Sequence, residues 1–413
     1  FGPYDDRENE PGLQRKNAQD WWPKMVMLKV LQQYYSATND ERVITLMLNY
    51  FRYQLKELPA KPLDNWTHWG MDRGGDNLAV VYWLYNITGE KFLLNLAELI
   101  HHQTVNWTDI CLEGELRNQW NLHCVNVAQG IKEPVVYYQQ DKNAKYVEAA
   151  RKGLADLRQH HGLAHGLYGA DEMMHGNNPV QGSELCTAVE MMFSMETAIP
   201  ITGEVLFADH LERVAFNALP AQTTDNYDSR QYYQQANQVL ISRHPRNFNT
   251  AYEGTDQLFG VLTGYPCCTS NMHQGWPKFT QNLWYATADR GMAALIYAPS
   301  VATIKVGGGS QVHVTEQTNY PFDETIQFTL KMDEPAAFPF HLRIPGWCKN
   351  ATVKINGAEW DKYSGNQIIK IKREWKNGDV VELFLPMELR IERWHENSVS
   401  VERGPLTFAL KIG

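Results

Sequence analysis

The sequence contains no long apolar run and no cluster of basic residues. No apolar stretch approaches the ~18 residues that a transmembrane helix needs, which argues against a membrane span. The 413 residues carry a net charge of −9, and the basic residues are scattered along the chain. Binding to nucleic acid or to an anionic membrane is therefore not expected.

Cysteine is scarce, with six residues in the whole chain. This number is too small for a disulfide scaffold, and the spacing demands no bridges. The cysteine content does not decide the cellular compartment, and a periplasmic or secreted location is slightly favoured over a cytoplasmic one. The chain starts at Phe1 without a signal-like segment and ends inside an apolar phrase, so we expect a processed or cut fragment, truncated at its C-terminus.

Four phrases in the first part of the chain share one pattern. Each has an apolar helix end, a tight turn with a capping residue, and a new amphipathic helix. The turns are at residues 38–40, 88–90, 141–143 and 202–204. This recurrence, at roughly 50–60 residues, predicts an array of αα-hairpins. The long, polar and aromatic loops between them favour closure into an (α/α)6 barrel over an open solenoid.

The pattern changes near residue 285, where alternating apolar and polar residues replace helical periodicity. Asn356-Gly357 stands between two strand-like runs and predicts a hairpin turn. Short strands at this spacing predict an antiparallel β-sandwich. The predicted fold class is therefore an (α/α)6 barrel, residues 1–288, followed by an antiparallel β-sandwich, residues 289–413.

Two short phrases offer three thiols and one carboxylate. Gly-Ser-Glu-Leu-Cys contains Glu184 and Cys186, and Tyr-Pro-Cys-Cys-Thr contains Cys267 and Cys268. Thiolates and carboxylates together suit zinc at four-coordination. Adjacent residues point apart in regular structure, so two unrelated buried thiols and an ordinary helix start at Glu184 remain alternatives.

Other polar residues have ordinary explanations beside functional ones. Asp171 and Glu172 end a loop rich in histidine and glycine, which suits a surface turn, a helix cap or a general acid/base. Glu212 lies in a helical phrase, where an exposed acid is the ordinary expectation. His123 and Arg73 are single polar residues near aromatic phrases, and core or cap roles are the default for both.

The two thiol phrases, together with Leu-Glu-Arg-Val-Ala-Phe-Asn-Ala-Leu-Pro at 211–220, resemble glycoside hydrolase family 127, the β-L-arabinofuranosidases, and its relatives. The resemblance covers nearly the whole chain, and the combination of Glu-x-Cys with Cys-Cys carries it. It implies a retaining glycosidase built on an (α/α)6 barrel. It also implies a zinc ion held by Glu184, Cys186, Cys267 and Cys268.

The resemblance further implies catalytic roles. Cys267 would be the nucleophile, because zinc coordination keeps a cysteine deprotonated at neutral pH. Glu172 would be the acid/base. The loop from Glu172 to Glu184 is shorter than in well-known members of the family, which leaves Asp171 as the alternative.

The candidate substrate contacts are less specific. The resemblance implies a sugar contact for Glu212, and His123 is a weaker match to a sugar-contacting histidine. Trp69 and Arg73, from the aromatic loop 66–76, complete the predicted substrate-binding set.

The leading hypothesis is an exo-glycosidase that releases terminal β-L-arabinofuranose, or a related pentose-type sugar, from plant oligosaccharides or polysaccharides. A homodimer is a further possibility that the sequence leaves undecided. The enzyme alternative is another glycan-active (α/α)6 barrel, such as an unsaturated-uronyl hydrolase or a lyase, which needs no thiolate. The non-enzyme alternative is a carbohydrate-binding protein with a structural zinc.

Overall fold

The computed structural model describes residues 20–118 and 122–411. Phe1 and Gly413, on which the prediction of a cut fragment rests, lie outside the described residues. The chain divides into two compact units, Phe1–Leu157 and Arg158–Gly413. Within the described ranges, none of the helices has the length and apolar character that a membrane span requires.

The first unit is built from helices. Their bounds are α1 Trp22–Thr38, α2 Glu41–Glu57, α3 Trp69–Asp72, α4 Gly74–Thr88, α5 Phe92–Gln103, α6 Trp107–Glu113, α7 Cys124–Gly130, α8 Glu133–Asp141 and α9 Lys145–His161. Helix α4 packs against α1, α2, α5, α7 and α8. Leu78, Val81 and Leu84 on α4 have no exposed surface, so this helix forms the centre of the unit.

The predicted hairpin turns are confirmed. Asn39, Gly89, Lys142 and Gly203 follow α1, α4, α8 and α10 (Leu185–Thr202) in the left-handed conformation, with φ of +53°, +69°, +65° and +67°. The backbone N–H of each donates to a carbonyl four residues earlier, which closes the last helical turn. Asp40 then caps α2 by accepting from the N–H of Arg42 at 3.1 Å. These turns depend on local chemistry alone.

The second unit begins with a small sheet and further helices. The helices are α10 Leu185–Thr202, α11 Val205–Arg213, α12 Leu219–Ala221, α13 Cys267–Met272 and α14 Gly275–Gln281. The strands β1 Ala170–Asp171, β2 Met173–Met174, β3 Ser183–Glu184 and β4 Tyr233–Gln234 form a sheet in the order β2-β1-β3-β4. Helix α10 is buried on most sides and packs against α11, α13 and α14, so it supports the segments that carry the cysteines.

The remaining strands of the second unit form three antiparallel or mixed sheets. Their bounds are β5 Trp284–Ala286, β6 Met292–Ala294, β7 Ser300–Val306, β8 Ser310–Thr318, β9 Thr325–Lys331, β10 Ala336–Ile344, β11 Ala351–Ile355, β12 Ala358–Tyr363, β13 Gln367–Trp375, β14 Val380–Phe384, β15 Leu389–Arg393, β16 Val399–Arg403 and β17 Leu406–Phe408. The sheet orders are β13-β10-β6-β5, β12-β11-β14-β9-β8-β7 and β15-β16-β17. Phe328 of the six-stranded sheet lies 5.3 Å from Phe340 of the four-stranded sheet, between ring centroids, so the core lies between these two sheets.

The predicted hairpin at Asn356-Gly357 is also confirmed. Both residues have positive φ, +52° and +81°, as a two-residue turn between β11 and β12 requires. The change from helix to strand falls between Gln281 and Trp284. Because the two compact units divide elsewhere, inside α9, the domain limits at residues 288 and 289 stay a prediction.

Candidate active site

Glu172 occupies the tip of a tight turn between β1 and β2. Asp171 pairs with Met173 across the turn, so Glu172 alone connects the two strands. Its φ is +74°, in the left-handed region that a glutamate rarely adopts. Non-glycine residues held in this way cluster at functional sites, where the surrounding structure supports the strain. The turn therefore presents the Glu172 side chain in a fixed place.

Tyrosine hydroxyls surround one oxygen of that side chain. The Tyr252 hydroxyl donates to Oε1 of Glu172 at 2.8 Å, and the Tyr232 hydroxyl donates to the same oxygen in a short hydrogen bond. The Tyr233 hydroxyl lies 3.4 Å from it. Tyr232 and Tyr233 are almost fully buried, and Glu172 is half-buried. A protein surface rarely offers a carboxylate three phenolic donors, which marks this pocket as a candidate site.

The predicted metal ligands come together beside these tyrosines. Glu184 ends β3 in an extended conformation, and Cys186 is the second residue of α10. This change from strand to helix turns two side chains toward one point, although residues two apart diverge within a helix. Cys267 and Cys268 open the short helix α13, where Cβ atoms tilt toward the N-terminus. We call Glu184, Cys186, Cys267 and Cys268 the thiol cluster.

The distances within the thiol cluster suit one small ion. One ligand atom from each of the four residues lies within 4.8 Å of the others. The Cys186 and Cys268 sulfurs are 3.3 Å apart, and Oε1 of Glu184 is 3.6 Å from Cys267 Sγ and 3.7 Å from Cys268 Sγ. Tetrahedral zinc binds sulfur at about 2.3 Å and carboxylate oxygen at about 2.0–2.2 Å, which places ligand atoms about 3.5–3.8 Å apart. The cluster could therefore hold a metal ion of this kind.

The three thiols differ in how readily they ionise. Hydrogen bonds from Cys186 and Cys268 lower the pKa of Cys267 to about 3. Burial raises the pKa of Cys186 and of Cys268 well above the ordinary value. Cys267 is also partly exposed, whereas the other two are buried. It is therefore the most readily deprotonated and most accessible sulfur of the three.

The surroundings of Asp171 differ from those of its neighbour Glu172. It has no exposed surface, and its Oδ2 accepts from the backbone N–H of Asn249 at 2.6 Å. Its other oxygen meets the His175 ring. Burial raises the pKa of Asp171 to about 7 and lowers that of His175 to about 4. Glu172, by contrast, is connected to Cys267 through the Tyr232 hydroxyl, which lies 3.8 Å from Cys267 Sγ.

Glu212 lies in a separate buried cluster. Its carboxylate has no exposed surface and pairs with Arg343, with 2.5 Å between Oε1 and a guanidinium nitrogen. Tyr320 donates to its other oxygen at 2.5 Å, and Asp209 also pairs with Arg343. We call Asp209, Glu212, Tyr320 and Arg343 the arginine cluster. The structure shows Glu212 buried and paired with Arg343 of β10, and the sugar contact that the sequence predicts for Glu212 stays a prediction.

The remaining predicted substrate contacts lie together in the first unit. The Arg73 guanidinium lies 4.6 Å from the ring centres of both Trp22 and Trp69. The Trp69 ring meets His123 edge-on at 5.2 Å. Arg73 also donates to Asn126 at 2.9 Å, which fixes its position. Trp22 and Trp69 are half-buried, so the group presents aromatic surface as well as charge.

Sequence reasoning missed the tyrosines and Trp22. Tyr232-Tyr233 is an uncommon aromatic pair, but no spacing rule connects it with Glu172, which lies 60 residues earlier. Tyr252 lies in a segment without regular structure and offers no periodic signal. Trp22 is the first residue of α1, and nothing in its local sequence connects it with Arg73. Each of these residues joins its site through tertiary contacts.

Comparison with protein-family models identifies the chain. The model described as β-L-arabinofuranosidase, GH127 catalytic domain, matches residues 2–281. The model of the GH127 middle domain matches residues 291–387. Together the two models cover most of the chain, which is therefore a glycoside hydrolase. It belongs to glycoside hydrolase family 127. The resemblance recognised in the motifs is confirmed.

Solved structures agree on the fold. A GH127 β-L-arabinofuranosidase from Geobacillus stearothermophilus T6 is 19% identical, with a TM-score of 0.75 over 97% of this chain and 68% of that one. A GH127 β-arabinofuranosidase is also 19% identical, with a TM-score of 0.71 over 95% and 64%. The chain thus spans about two thirds of these two proteins. The predicted fold class, an (α/α)6 barrel followed by an antiparallel β-sandwich, is confirmed. No curated protein sequence matches the chain.

Proposed function

We propose that this protein is a retaining exo-glycosidase that removes a terminal β-L-arabinofuranose, or a related pentose-type sugar, from plant glycans. One observation carries the proposal. The Tyr232 hydroxyl contacts both Oε1 of Glu172 and the sulfur of Cys267, so these two groups lie within two hydrogen-bond lengths of each other. The catalytic groups of retaining glycosidases lie about 5–5.5 Å apart and those of inverting ones about 6.5–9.5 Å. The short link favours retention.

In the first step Cys267 attacks and Glu172 acts as an acid. The Cys267 sulfur forms a bond to the anomeric carbon while the glycosidic C–O bond breaks. Glu172 gives its proton to the departing oxygen, so the leaving group departs as an alcohol. The product of this step is a thioglycoside on Cys267 and an ionised Glu172.

In the second step Glu172 acts as a base. It takes a proton from a water molecule, the water oxygen bonds to the anomeric carbon, and the C–S bond breaks. The two displacements together retain the anomeric configuration, and both side chains return to their starting forms. The location of Glu172 on a rigid turn supports both proton transfers from one position.

The donor set supports zinc as the metal. Three sulfurs and one carboxylate oxygen at these separations match its ligand preference and tetrahedral geometry. When bound by the thiol cluster, zinc would keep Cys267 deprotonated and would stabilise it as a leaving group. Cys186, Cys268 and Glu184 would serve only as ligands.

We also propose the Trp22, Trp69, Arg73 and His123 group as a sugar-contacting surface of the first unit. Half-buried tryptophan faces suit stacking on a sugar ring, and the positioned guanidinium suits hydrogen bonds to its hydroxyls. Tryptophan-to-alanine replacement at Trp69 should raise KM several-fold with a smaller change in kcat. An unchanged KM would remove Trp69 from the substrate contacts.

The decisive test combines a substrate panel with a matched pair of cysteine variants. Aryl pentosides are assayed with the purified protein, with Cys267→Ser and with Cys348→Ser, whose thiol is buried in the β-sandwich core. We expect Cys267→Ser to lower kcat by ~10³-fold or more, since removal of a nucleophile has effects of this order or larger. Cys348→Ser should keep its activity.

Thiol labelling and metal analysis complete the test. Iodoacetamide should inactivate the enzyme with the label on Cys267, because the other five cysteines are buried. Metal analysis should find zinc. Full activity after alkylation, chelation and Cys267→Ser would reject the mechanism and point to a glycan-active barrel without a thiolate. Sugar binding without turnover would point to a carbohydrate-binding protein with a structural metal.

A further inference from the structure

Tyrosine hydroxyls contact one oxygen of the Glu172 carboxyl group. Oε1 accepts from the Tyr232 and Tyr252 hydroxyls, with the Tyr233 hydroxyl at 3.4 Å. From this geometry we infer that the tyrosines are positioning residues, which hold the Glu172 carboxyl group in the orientation that its proton transfers require. Tyr252 is the residue on which the inference can be tested, and the inference rests on the proposed role of Glu172 as acid/base.

The lone pairs of a carboxylate explain how the tyrosines orient the group. Each oxygen has room for about two hydrogen bonds in the plane of the group. The Tyr232 and Tyr252 hydroxyls together supply two such bonds to Oε1, so they define the direction of this oxygen and the plane of the carboxyl group.

Tyr252 itself is held in place by the acid that precedes Glu172. Asp171 accepts from the Asn249 N–H at 2.6 Å, and the Tyr252 N–H donates to Oδ1 of Asp256 at 2.9 Å. Asp256 also accepts, through its backbone carbonyl, from the N–H of Tyr232 at 2.9 Å. The segment that carries Tyr252 is thus attached to the Glu172 turn at one end and to the Tyr232 strand at the other.

Ring packing supports the same arrangement. The Tyr232 and Tyr252 rings meet edge-to-face, with centroids 5.1 Å apart and an interplanar angle of 83°. This contact limits rotation of both rings, so each hydroxyl has one position. Glu172 occupies an unfavourable backbone conformation, and the hydroxyls compensate by holding its side chain. A carboxyl group freed from them would sample several orientations.

Loss of orientation should depend on the leaving group. A displacement of about 1 Å in a catalytic group can cost ~10²-fold in rate. An alkyl leaving group needs protonation by Glu172, whereas p-nitrophenolate departs without much help. Removal of the Tyr252 hydroxyl should therefore slow the hydrolysis of alkyl glycosides more than that of nitrophenyl glycosides. A defect in folding or in sugar binding would affect both substrates equally.

The experiment compares Tyr252→Phe with Tyr265→Phe in the metal-loaded enzyme. Tyr265 is an exposed neighbour whose ring lies 6.1 Å from that of Tyr252, which makes it a matched control. We expect Tyr252→Phe to lower kcat/KM by ~10–100-fold for the methyl glycoside and by less than about 3-fold for the p-nitrophenyl glycoside. Tyr265→Phe should leave both values unchanged. Tyr233→Phe, with its longer contact, should show the same selectivity at smaller size.

A double variant separates this inference from the proposed function. In Glu172→Gln, which has no transferable proton, addition of Tyr252→Phe should cause no further loss. A further loss, or equal losses for the two substrates, would overturn the positioning role. If Glu172→Gln alone keeps full activity on the methyl glycoside, the acid/base assignment fails instead. If Tyr252→Phe does not fold, Tyr233→Phe carries the same comparison, and equal losses there would also overturn it.

Discussion

The second unit contains two buried groups of acidic side chains that differ in how their negative charge is balanced. In the arginine cluster, Arg343 pairs with Glu212 and Asp209, and neither Arg343 nor Glu212 has exposed surface. In the thiol cluster, the contacts of the sulfurs include other thiols, the Glu184 carboxylate and the Tyr232 hydroxyl. The first group is balanced by a side chain of the protein, and the second is proposed to be balanced by a metal ion.

This difference separates fold from function. Buried charge is costly unless a partner of opposite charge lies close by. Where the partner is a side chain, as in Arg343, the balance is permanent and joins α11 to the β-sandwich. Where the partner is a metal, the balance depends on binding, so stability and activity change together with metal supply. Four predictions test this contrast.

The largest effect is expected at Arg343. Arg343→Met removes the cation and leaves the buried Glu212 and the partly buried Asp209 without it, which should cost about 3–5 kcal/mol in the free energy of unfolding. Lys354→Met is the control, since Lys354 and Glu382 form an exposed pair at 3.4 Å that should contribute less than about 1 kcal/mol. Chemical denaturation of both variants measures the difference. Equal costs would mean that the arginine cluster does not need its cation.

Removal of metal should have the next largest effect. A ligand present at about 100 times its Kd stabilises the native state by about 2.7 kcal/mol. Dialysis against a chelator should therefore lower Tm and abolish activity, and added Zn²⁺ should restore both. Cys268→Ser should already have the lower Tm and should not respond to Zn²⁺. A Tm that is independent of chelator in the parent protein would show that the thiol cluster is balanced in another way.

The sequence predicted the features that depend on neighbouring residues. The turns at Gly89 and Gly203 and the hairpin at Asn356-Gly357 follow from local backbone chemistry, and alternation located the strands. The sequence did not predict the contacts between distant segments. The pairing of Tyr252 with Glu172, 80 residues apart, has no local signature, because only the folded backbone brings them together.

Glu212 shows the same limit for a site residue. Nothing in the sequence around Glu212 indicates that Arg343, on strand β10, will pair with it. The motif resemblance implies a sugar contact for Glu212, which stays a prediction, and the structure places its carboxylate in the arginine cluster. By contrast, the four members of the thiol cluster were named together from two short motifs, and the structure brings their ligand atoms within 4.8 Å.

Glu212→Gln separates a role in the arginine cluster from the predicted sugar contact. The amide keeps the shape and can still accept from Tyr320, while Arg343 retains Asp209. We expect a loss of about 1–3 kcal/mol in unfolding free energy, with unchanged zinc content and KM. Denaturation, metal analysis and steady-state kinetics on one preparation measure all three. A KM raised more than about 10-fold at unchanged stability would support the predicted sugar contact.

The smallest effect concerns Glu316, an acid next to the arginine cluster. Burial raises the pKa of Glu316 to about 8, and the charge of Glu212 adds to the shift. Its oxygens accept from the N–H of Ala298 at 3.1 Å and from the hydroxyl of Ser300 at 3.2 Å. This raised pKa predicts that Glu316 keeps its proton in the folded protein at neutral pH, so that Arg343 need not balance its charge.

The pH dependence of stability follows from this raised pKa. An unfolded chain releases the Glu316 proton near pH 4.5, whereas the folded protein keeps it up to about pH 8, so stability is lost as the pH rises between these values. Glu316→Gln removes the titration. Its Tm relative to the parent should rise from pH 5 to pH 8, and each 1 kcal/mol of stability that the parent loses corresponds to about 2–4 °C. Glu359→Gln, on the exposed strand β12, is the control and should show no such trend. A parallel pair of Tm–pH curves for Glu316→Gln and the parent would show that Glu316 is already ionised in the fold, and that the balance provided by Arg343 extends further than its direct partners.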